Sequence, residues 1–335
     1  MEESPSIPTE RTSKIVRRSI FIFLKHYQHF TTIAALFIFP VSVSILLSQA
    51  VLPSLSPLLP TIQARLQSLF DAAGFPPSSQ LFSLLSLKLS QTICSSIVTI
   101  PFTLSFLLVA KACVIRGFNH CKPSPPASIF SLAFLYSRLF FTYINNCFVI
   151  LAANATTFSL FFLAFNSFAA FGFSSPNFLL FLSAAGAILY SVILANTFII
   201  CNLALVVAGM ENCSGYLAIL KAFVLLRGRT SIALSLALPV NLGLAAIEAL
   251  FQYRVVRDYH LSVKFRPSMA LEGLLIAYLY SLLVLLDTIA SCIFFKACKS
   301  SCQKSLEGSH NYQIDLAQEE DKSIFTIRKT LQEFP

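Results

Sequence analysis

The chain has 335 residues, of which 56% are hydrophobic and 12% are charged, and its mean hydropathy is +0.74. A soluble domain carries roughly a quarter charged residues, so this composition excludes an ordinary soluble protein. The net charge of +9 comes from basic residues scattered at the ends of apolar runs, which excludes nucleic acid as a partner because no basic face is formed. The predicted fold class is therefore all-α, a polytopic membrane helix bundle.

The N-terminal segment, residues 1–29, is predicted to be a cytosolic tail with a basic amphipathic helix. Residues 1–12 are polar, whereas from about residue 13 to 29 a broad apolar stripe faces away from Lys14, Arg17, Arg18 and Lys25. A helix of this kind is typical of the lipid headgroup plane. The alternative is that it extends the first span as a charged flank.

A membrane domain of six spans is predicted between residues 30 and 296, because about 20 apolar residues cross a bilayer. The spans are 30–52, 89–110, 139–168, 178–209, 230–251 and 270–295, with Lys88 and Lys111 bounding the second. Short amphipathic segments at 62–73 and 214–229 are predicted to lie at the membrane interface. Residues 297–335 are polar and are predicted to be a cytosolic, largely disordered tail.

The distribution of basic residues predicts the orientation of these spans. Eighteen Lys and Arg residues fall on the side of the two termini and six on the other side. The positive-inside rule then places both termini in the cytosol, for a protein of the endomembrane system or plasma membrane. The loop 252–269 disagrees, since it carries four basic residues on the opposite side. If that loop is cytosolic, one of the six spans must be re-entrant.

Three carboxylates lie in or near the last two spans. Glu248 and Glu272 fall near the outer ends of these spans, where pairing with Arg254 and Arg257 is the favoured interpretation. Asp287 lies about 13 Å deep, nine residues before Lys296 at 1.5 Å per residue. An unpaired charge there costs roughly 2.5–3.5 kcal/mol, so a partner, a water-filled cavity or protonation is expected. Six asparagines are candidate hydrogen-bond partners: Asn145, Asn146, Asn154, Asn196, Asn202 and Asn241. A transport or proton-relay function of Asp287 is the alternative to helix–helix bonding.

Three spans share a proline motif, with Pro40, Pro101 and Pro239 as candidate helix kinks. Proline removes one backbone hydrogen bond, and a nearby Ser, Thr or Asn can satisfy the freed carbonyl group. Broken helices of this kind line transporter sites, although proline is also common in membrane helices generally.

The nine cysteines do not predict a disulfide framework, since four lie in spans and five on the predicted cytosolic side. Cys298 and Cys302 follow the last span beside Lys296 and Lys299, which favours reversible palmitoylation, with free thiols as the alternative. Metal-ligand spacing and the common hydrolase, kinase and dinucleotide motifs are missing from the sequence, so no cofactor, no metal and no catalytic residue is predicted.

Residues 206–246 resemble the signature region of a plant family of six-span membrane proteins without an established function. The resemblance covers about an eighth of the chain and rests on Glu211, Gly215, Tyr216, Ala218, Arg227, Gly228 and Arg229. A similar pattern occurs in the membrane domain attached to some bacterial glycerophosphodiester phosphodiesterases, whose catalytic domain is separate and has no counterpart here. The resemblance therefore implies a membrane module and not a phosphodiesterase. The residues themselves agree, because they predict an interfacial helix in which Arg227 and Arg229 contact lipid headgroups.

The functional prediction is a non-enzymatic, multi-pass membrane protein that acts through membrane lipids, partner proteins or a second copy of itself. The alternative is a transporter or channel for a small solute or ion that uses the proline-bent helices and Asp287. A polar cavity that reaches Asp287 would favour transport, and a tightly packed bundle would argue against it.

Overall fold

The computed structural model describes residues 8–55, 58–72, 80–119, 129–170, 176–257 and 267–332, and in these ranges every regular element is a helix. In chain order the helices are α1 (Pro8–Lys25), α2 (27–55), α3 (Leu58–Ala72), α4 (80–119), α5 (Ile129–Ala170), α6 (Pro176–Met210), α7 (Tyr216–Leu226), α8 (230–256) and α9 (Pro267–Gln332). Six of them are long and apolar enough to cross a membrane: α2, α4, α5, α6, α8 and α9.

Helix α1 is separate from the first candidate span. The backbone bends at His26 (φ −118°, ψ 39°), between Lys25 and the start of α2 at Tyr27. The described helix extends from Pro8, earlier than the predicted start at about residue 13. Its Thr12 hydroxyl lies 2.7 Å from that of Ser235 in α8, and Ile15 and Val16 pack against the central core. Thus α1 packs along the bundle.

The core lies where α4, α6, α7 and α9 meet. Its largest cluster holds small and branched side chains of α6 from Leu203 to Ala208, together with Ala218 and Ala222 of α7 and Cys292 of α9. Small side chains of this kind let helices approach closely. A second cluster joins α2 to α4 and α9 through Ile38, Val114 and Leu285.

Several predicted boundaries are corrected by the structure. The second span does not end at Lys111, because α4 continues to Asn119 through the apolar residues Ala112, Val114 and Ile115. Helix α5, which contains the third predicted span, starts at Ile129, so Arg138 lies within the helix. The segment 297–332, predicted to be largely disordered, is helical, since no proline interrupts the chain between Pro267 and Pro335.

Each of the three candidate kink prolines lies inside a helix. A π-helical turn, Ala34–Ile38, precedes Pro40 in α2, and a second one, Thr103–Leu107, follows Pro101 in α4. The Ser105 hydroxyl donates to the Pro101 carbonyl group at 2.6 Å. A π-helical turn is wider than an α-helical turn, and such turns occur where proline interrupts the regular backbone hydrogen bonds of a helix. Pro239 lies in the regular helix Thr230–Phe251.

Candidate functional site

Asp287 belongs to a polar cluster that we call the amide site: the buried Lys111 of α4, and the half-buried Asn202 of α6 and Asp287 and Ser291 of α9. The Lys111 Nζ donates to Asn202 Oδ1 at 2.7 Å, and Asn202 Nδ2 donates to Asp287 Oδ2 at 3.0 Å. The same Nδ2 lies 3.4 Å from Ser291 Oγ. One neutral side chain therefore connects a cation and a carboxylate on different helices.

Asn202 is one of the six asparagines that the sequence suggested as partners, but Lys111 was missed. Positioned after an apolar run, it was interpreted as the charged end of the second span. In the structure it is only 8% exposed. The signal was present in the sequence, because Ala112–Ile115 continue the apolar run for another turn before Arg116.

A half-open cavity of about 720 Å³ reaches the amide site from the side of the bundle. We call it the lateral cavity; α5, α6, α8 and α9 form its walls. Its apolar lining includes Leu234 and Leu238, which are 43% and 65% exposed, so the opening lies on the outer surface of the bundle. Its polar lining includes Asn146, Asn202, Asn241 and Asp287. This volume lies within the roughly 300–1,000 Å³ of small-molecule sites.

Asn146 presents an unused acceptor in the wall of this cavity. Its Nδ2 donates to the Cys201 carbonyl oxygen at 2.8 Å, which ties α5 to α6. Its Oδ1 is buried and has no hydrogen-bond partner among the described residues, and the residue is 3% exposed. A buried polar atom without a partner costs about 1–3 kcal/mol.

Glu248 and Glu272 do not pair with the basic residues of the following loop within the described part of the chain. The Tyr280 hydroxyl of α9 donates to Glu248 Oε1 at 3.1 Å, so Glu248 bonds to the neighbouring helix instead. Arg257 lies over the Tyr253 ring, 5.4 Å from its centroid. Glu272 is exposed at the rim of a separate apolar cavity. Pairing with the buried phenol of Tyr280 costs less desolvation free energy than pairing with an arginine, because no second charge must be desolvated.

Glu211, from the segment that carries the family resemblance, connects three elements. It accepts from Lys221 Nζ of α7 at 3.3 Å and from Lys299 Nζ of α9 at 2.8 Å. The hydrogen bond from Lys299 lowers the pKa of the Glu211 carboxyl group, and Lys221 lowers it further. Glu211 therefore holds the end of α6 to α7 and α9 while ionised.

The two arginines of the same segment behave differently. Arg229 donates to the Cys298 carbonyl oxygen at 2.9 Å and to Ser301 Oγ at 3.0 Å. Arg227 is exposed and lines a half-open cavity of about 410 Å³ beside Glu211 and Lys221. Arg229 also lines this cavity, but its guanidinium group is held by α9, whereas that of Arg227 is available to a headgroup.

The backbone of this segment depends on two glycines. Gly215 (φ 64°) precedes α7 and donates its N–H to Thr142 Oγ1 at 2.9 Å, and Gly228 (φ 79°) follows α7. Both φ values lie in the left-handed region, which glycine adopts without strain. A Cβ atom at Gly215 would lie 2.6 Å from the Phe141 ring, whereas one at Gly228 would meet nothing within 4 Å.

The candidate palmitoylation sites differ in access. Cys298 is 4% exposed and belongs to the central core, so its thiol is not available to an acyl donor in this structure. This corrects the interpretation of Cys298 as a modification site. The Cys302 side chain lies outside the described residues, and its palmitoylation stays a prediction.

Comparison with known proteins identifies a family without an assigned activity. No curated protein and no solved structure matches the chain. The resemblance of residues 206–246 to a plant family therefore stays a prediction. A family model described as "Domain of unknown function (DUF8558)" matches residues 11–314, which include every candidate span and the amide site. The chain belongs to this DUF8558 family.

Proposed function

We propose that this chain is a multi-pass, non-enzymatic membrane protein that binds an amphipathic molecule in its lateral cavity. The proposal depends on one observation above all: a cavity of about 720 Å³ opens on the apolar side of the bundle and ends at buried polar groups. The aliphatic part of a ligand would contact the apolar wall. Its polar end would reach Asn146 and Asp287.

The outer surface of the bundle supports insertion into a membrane. Large apolar side chains are well exposed along several candidate spans, among them Phe148 (66%), Phe181 (70%), Leu242 (69%) and Leu271 (71%). Soluble monomers rarely expose apolar patches of more than a few hundred Å², whereas lipid tails favour such a surface. We propose that both termini lie in the cytosol, as the distribution of basic residues predicts.

The chemistry of the polar end selects the ligand class. The Asp287 carboxylate, which lines the cavity, is an acceptor, so the matching group on the ligand is a donor, a hydroxyl or an ammonium group. An ammonium group would gain more than a hydroxyl, because charge-assisted hydrogen bonds are roughly twice as strong as neutral ones. We therefore assign a single-chain amphiphile with an amine or hydroxyl head.

Photolabelling tests this assignment. The full-length protein in lipid nanodiscs is irradiated with a photoreactive, alkyne-tagged sphingosine, and the labelled peptides are identified by mass spectrometry. We expect label on peptides of α5, α6 and α8 and competition by untagged sphingosine. A photoreactive fatty acid of equal chain length, which lacks the donor groups, should label these peptides several-fold less.

A pair of variants on α8 provides the control. Ala237 lines the lateral cavity, whereas Ala246 is exposed and half a helical turn away from it in projection. Ala237→Phe should fill the cavity and reduce labelling several-fold, and Ala246→Phe should leave it unchanged. Equal labelling of both variants and the parent protein, at equal melting temperature, would contradict the proposal.

Transport of a small cation or proton is the second candidate function. It is favoured by the amide site itself, in which Lys111, Asn202 and Asp287 connect α4, α6 and α9 beside the lateral cavity. Proteoliposomes with a trapped pH indicator test it under an imposed potassium gradient. Proton flux that Asp287→Asn abolishes would establish transport; impermeable vesicles containing folded protein would exclude proton transport.

A further inference from the structure

A second half-open cavity, of about 630 Å³, lies at one end of the bundle and is distinct from the lateral cavity. We call it the basic cavity. Its walls come from four helices. Residues at the junction of α1 and α2 form one side, and Gly117 and Phe118 near the end of α4 and Ile293 and Lys296 of α9 form the rest. The lateral cavity and the basic cavity share no lining residue.

The charge of the basic cavity has one sign. Arg18, Lys25 and Lys296 line it together with the imidazoles of His26 and His29, and none of the described lining residues is Asp or Glu. Arg18 and Lys25 make no ion pair or hydrogen bond within the described residues and are exposed. Three cations that line one cavity without a carboxylate repel one another, so an anion between them is favourable.

Lys296 is already oriented toward this position. Its Nζ donates to the Phe118 carbonyl oxygen at 2.9 Å and lies 5.4 Å from the centroid of the Phe118 ring. An ammonium group has three donors, and one of them is used here, so two remain for an anion. The cation is thereby fixed at the end of α4 rather than free on a long side chain.

The depth and the walls of the cavity indicate a lipid rather than a soluble anion. The cavity lies at the ends of three candidate spans, which begin at Tyr27 or end at Phe118 and Ser301, and hence at headgroup level. The lining also includes the apolar side chains of Phe21, Ile22, Phe30 and Ile293. Basic pockets between membrane helices on the cytosolic side are suited to phosphate-bearing lipid headgroups.

We infer that the basic cavity binds an anionic phospholipid, with the phosphate between Arg18, Lys25 and Lys296 and an acyl chain along Phe21 and Phe30. The site differs from the one predicted around Arg227 and Arg229. There Glu211 places a carboxylate among the cations, and Arg229 is bonded to α9. The inference is independent of the amphiphile in the lateral cavity.

Native mass spectrometry of the full-length protein in detergent measures this binding. Phosphatidylinositol 4-phosphate and phosphatidic acid are titrated in parallel with phosphatidylcholine, whose headgroup carries no net charge. We expect the two anionic lipids to bind at least roughly tenfold more tightly, because the quaternary ammonium group of phosphatidylcholine is repelled by the same cations that attract its phosphate. Equal binding of phosphatidylcholine would overturn the proposal.

Adjacent arginines on α1 provide a matched control. Arg18 lines the basic cavity, whereas Arg17 is exposed and does not. Arg18→Gln should weaken binding of the anionic lipids about fivefold and Arg18→Gln/Lys25→Gln about 25-fold, since each basic residue near an anionic surface contributes about 1 kcal/mol. Arg17→Gln should change the dissociation constant less than twofold. Equal weakening by Arg17→Gln would show nonspecific attraction and contradict the site.

A soluble competitor separates the lipid from its headgroup. Inositol 1,4-bisphosphate and inorganic phosphate carry the same anionic chemistry without acyl chains. We expect both to compete with phosphatidylinositol 4-phosphate only at concentrations at least 100-fold higher, because they cannot contact Phe21 and Phe30. Competition at equal concentration would identify a soluble anion as the occupant and overturn the lipid assignment.

Discussion

Lys111 and Asp287 bond to opposite ends of one side-chain amide, that of Asn202, at 2.7 and 3.0 Å. The two charges lie on α4 and α9, and the amide between them belongs to α6. Each charge thus receives a dipole of the correct sign, since the carbonyl end faces the ammonium group and the amino end faces the carboxylate. Three candidate spans are held together by this arrangement.

Asn202→Leu should destabilise the protein by roughly 1–3 kcal/mol, because both charges lose a hydrogen-bond partner in a buried position. The lowered melting temperature in detergent, measured by the loss of the helical circular dichroism signal, checks this. Asn196→Leu is the control, since Asn196 lies on the same helix outside the amide site and its side-chain amide donates to the Val192 carbonyl oxygen. A similar loss in both variants would contradict a structural contribution of the amide site.

The two charges should also be energetically coupled. Lys111→Met and Asp287→Leu each leave one buried charge with an incomplete environment, and the double variant removes both. We expect the double variant to lose less stability than the sum of the single variants, by roughly 0.5–3 kcal/mol, the range typical of interacting residues. Additive losses in this thermodynamic cycle would show that Lys111 and Asp287 act independently.

Gly215→Ala should be more destabilising than Gly228→Ala, although both positions have positive φ. At Gly228 only the left-handed conformation is penalised, by about 1–2 kcal/mol. At Gly215 overlap with the Phe141 ring adds roughly 1–3 kcal/mol. Melting temperatures measure the difference, and Phe141→Ala combined with Gly215→Ala should recover part of it. Equal losses at the two glycines would contradict the close contact.

The Glu211 carboxylate should make stability depend on acidity. Its pKa is lower in the folded protein, chiefly through the hydrogen bond from Lys299, so the unfolded chain binds a proton more readily. The stabilisation that ionised Glu211 provides is therefore fully present at pH values above 4.5, the ordinary pKa of the group. It is lost as the pH falls through the lower pKa of the folded protein. Glu211→Gln should remove this part of the decline in melting temperature. Glu272→Gln, at an exposed position, should retain it.

Engineered glycosylation tests the predicted orientation. An Asn-x-Thr acceptor placed within 258–266 should be modified when the protein is made in microsomes, because this loop is predicted to face the lumen or exterior. An acceptor within 120–128 should stay unmodified. The opposite pattern would reverse the orientation, and modification at neither position would support a re-entrant segment.

The six apolar stretches could be predicted from sequence because the length of an apolar run is a local property that one bilayer thickness determines. The individual ends were harder to predict. Lys111 was taken as a terminus because a charge after an apolar run usually marks one, and here a distant asparagine makes the burial of the charge tolerable. Glu248 was paired with nearby arginines for the same local reason, whereas the structure pairs it with Tyr280.

Composition by itself determined that this is a helical chain with six stretches apolar enough to cross a membrane, and it singled out Asp287 as a costly residue. Only the tertiary structure decided what surrounds Asp287. Asn202 lies 85 residues from Asp287 in the sequence and Lys111 lies farther from it, and the wall of the lateral cavity combines residues of four helices. Periodicity reports which face of a helix is apolar, but helix packing determines which faces meet and where they leave a space.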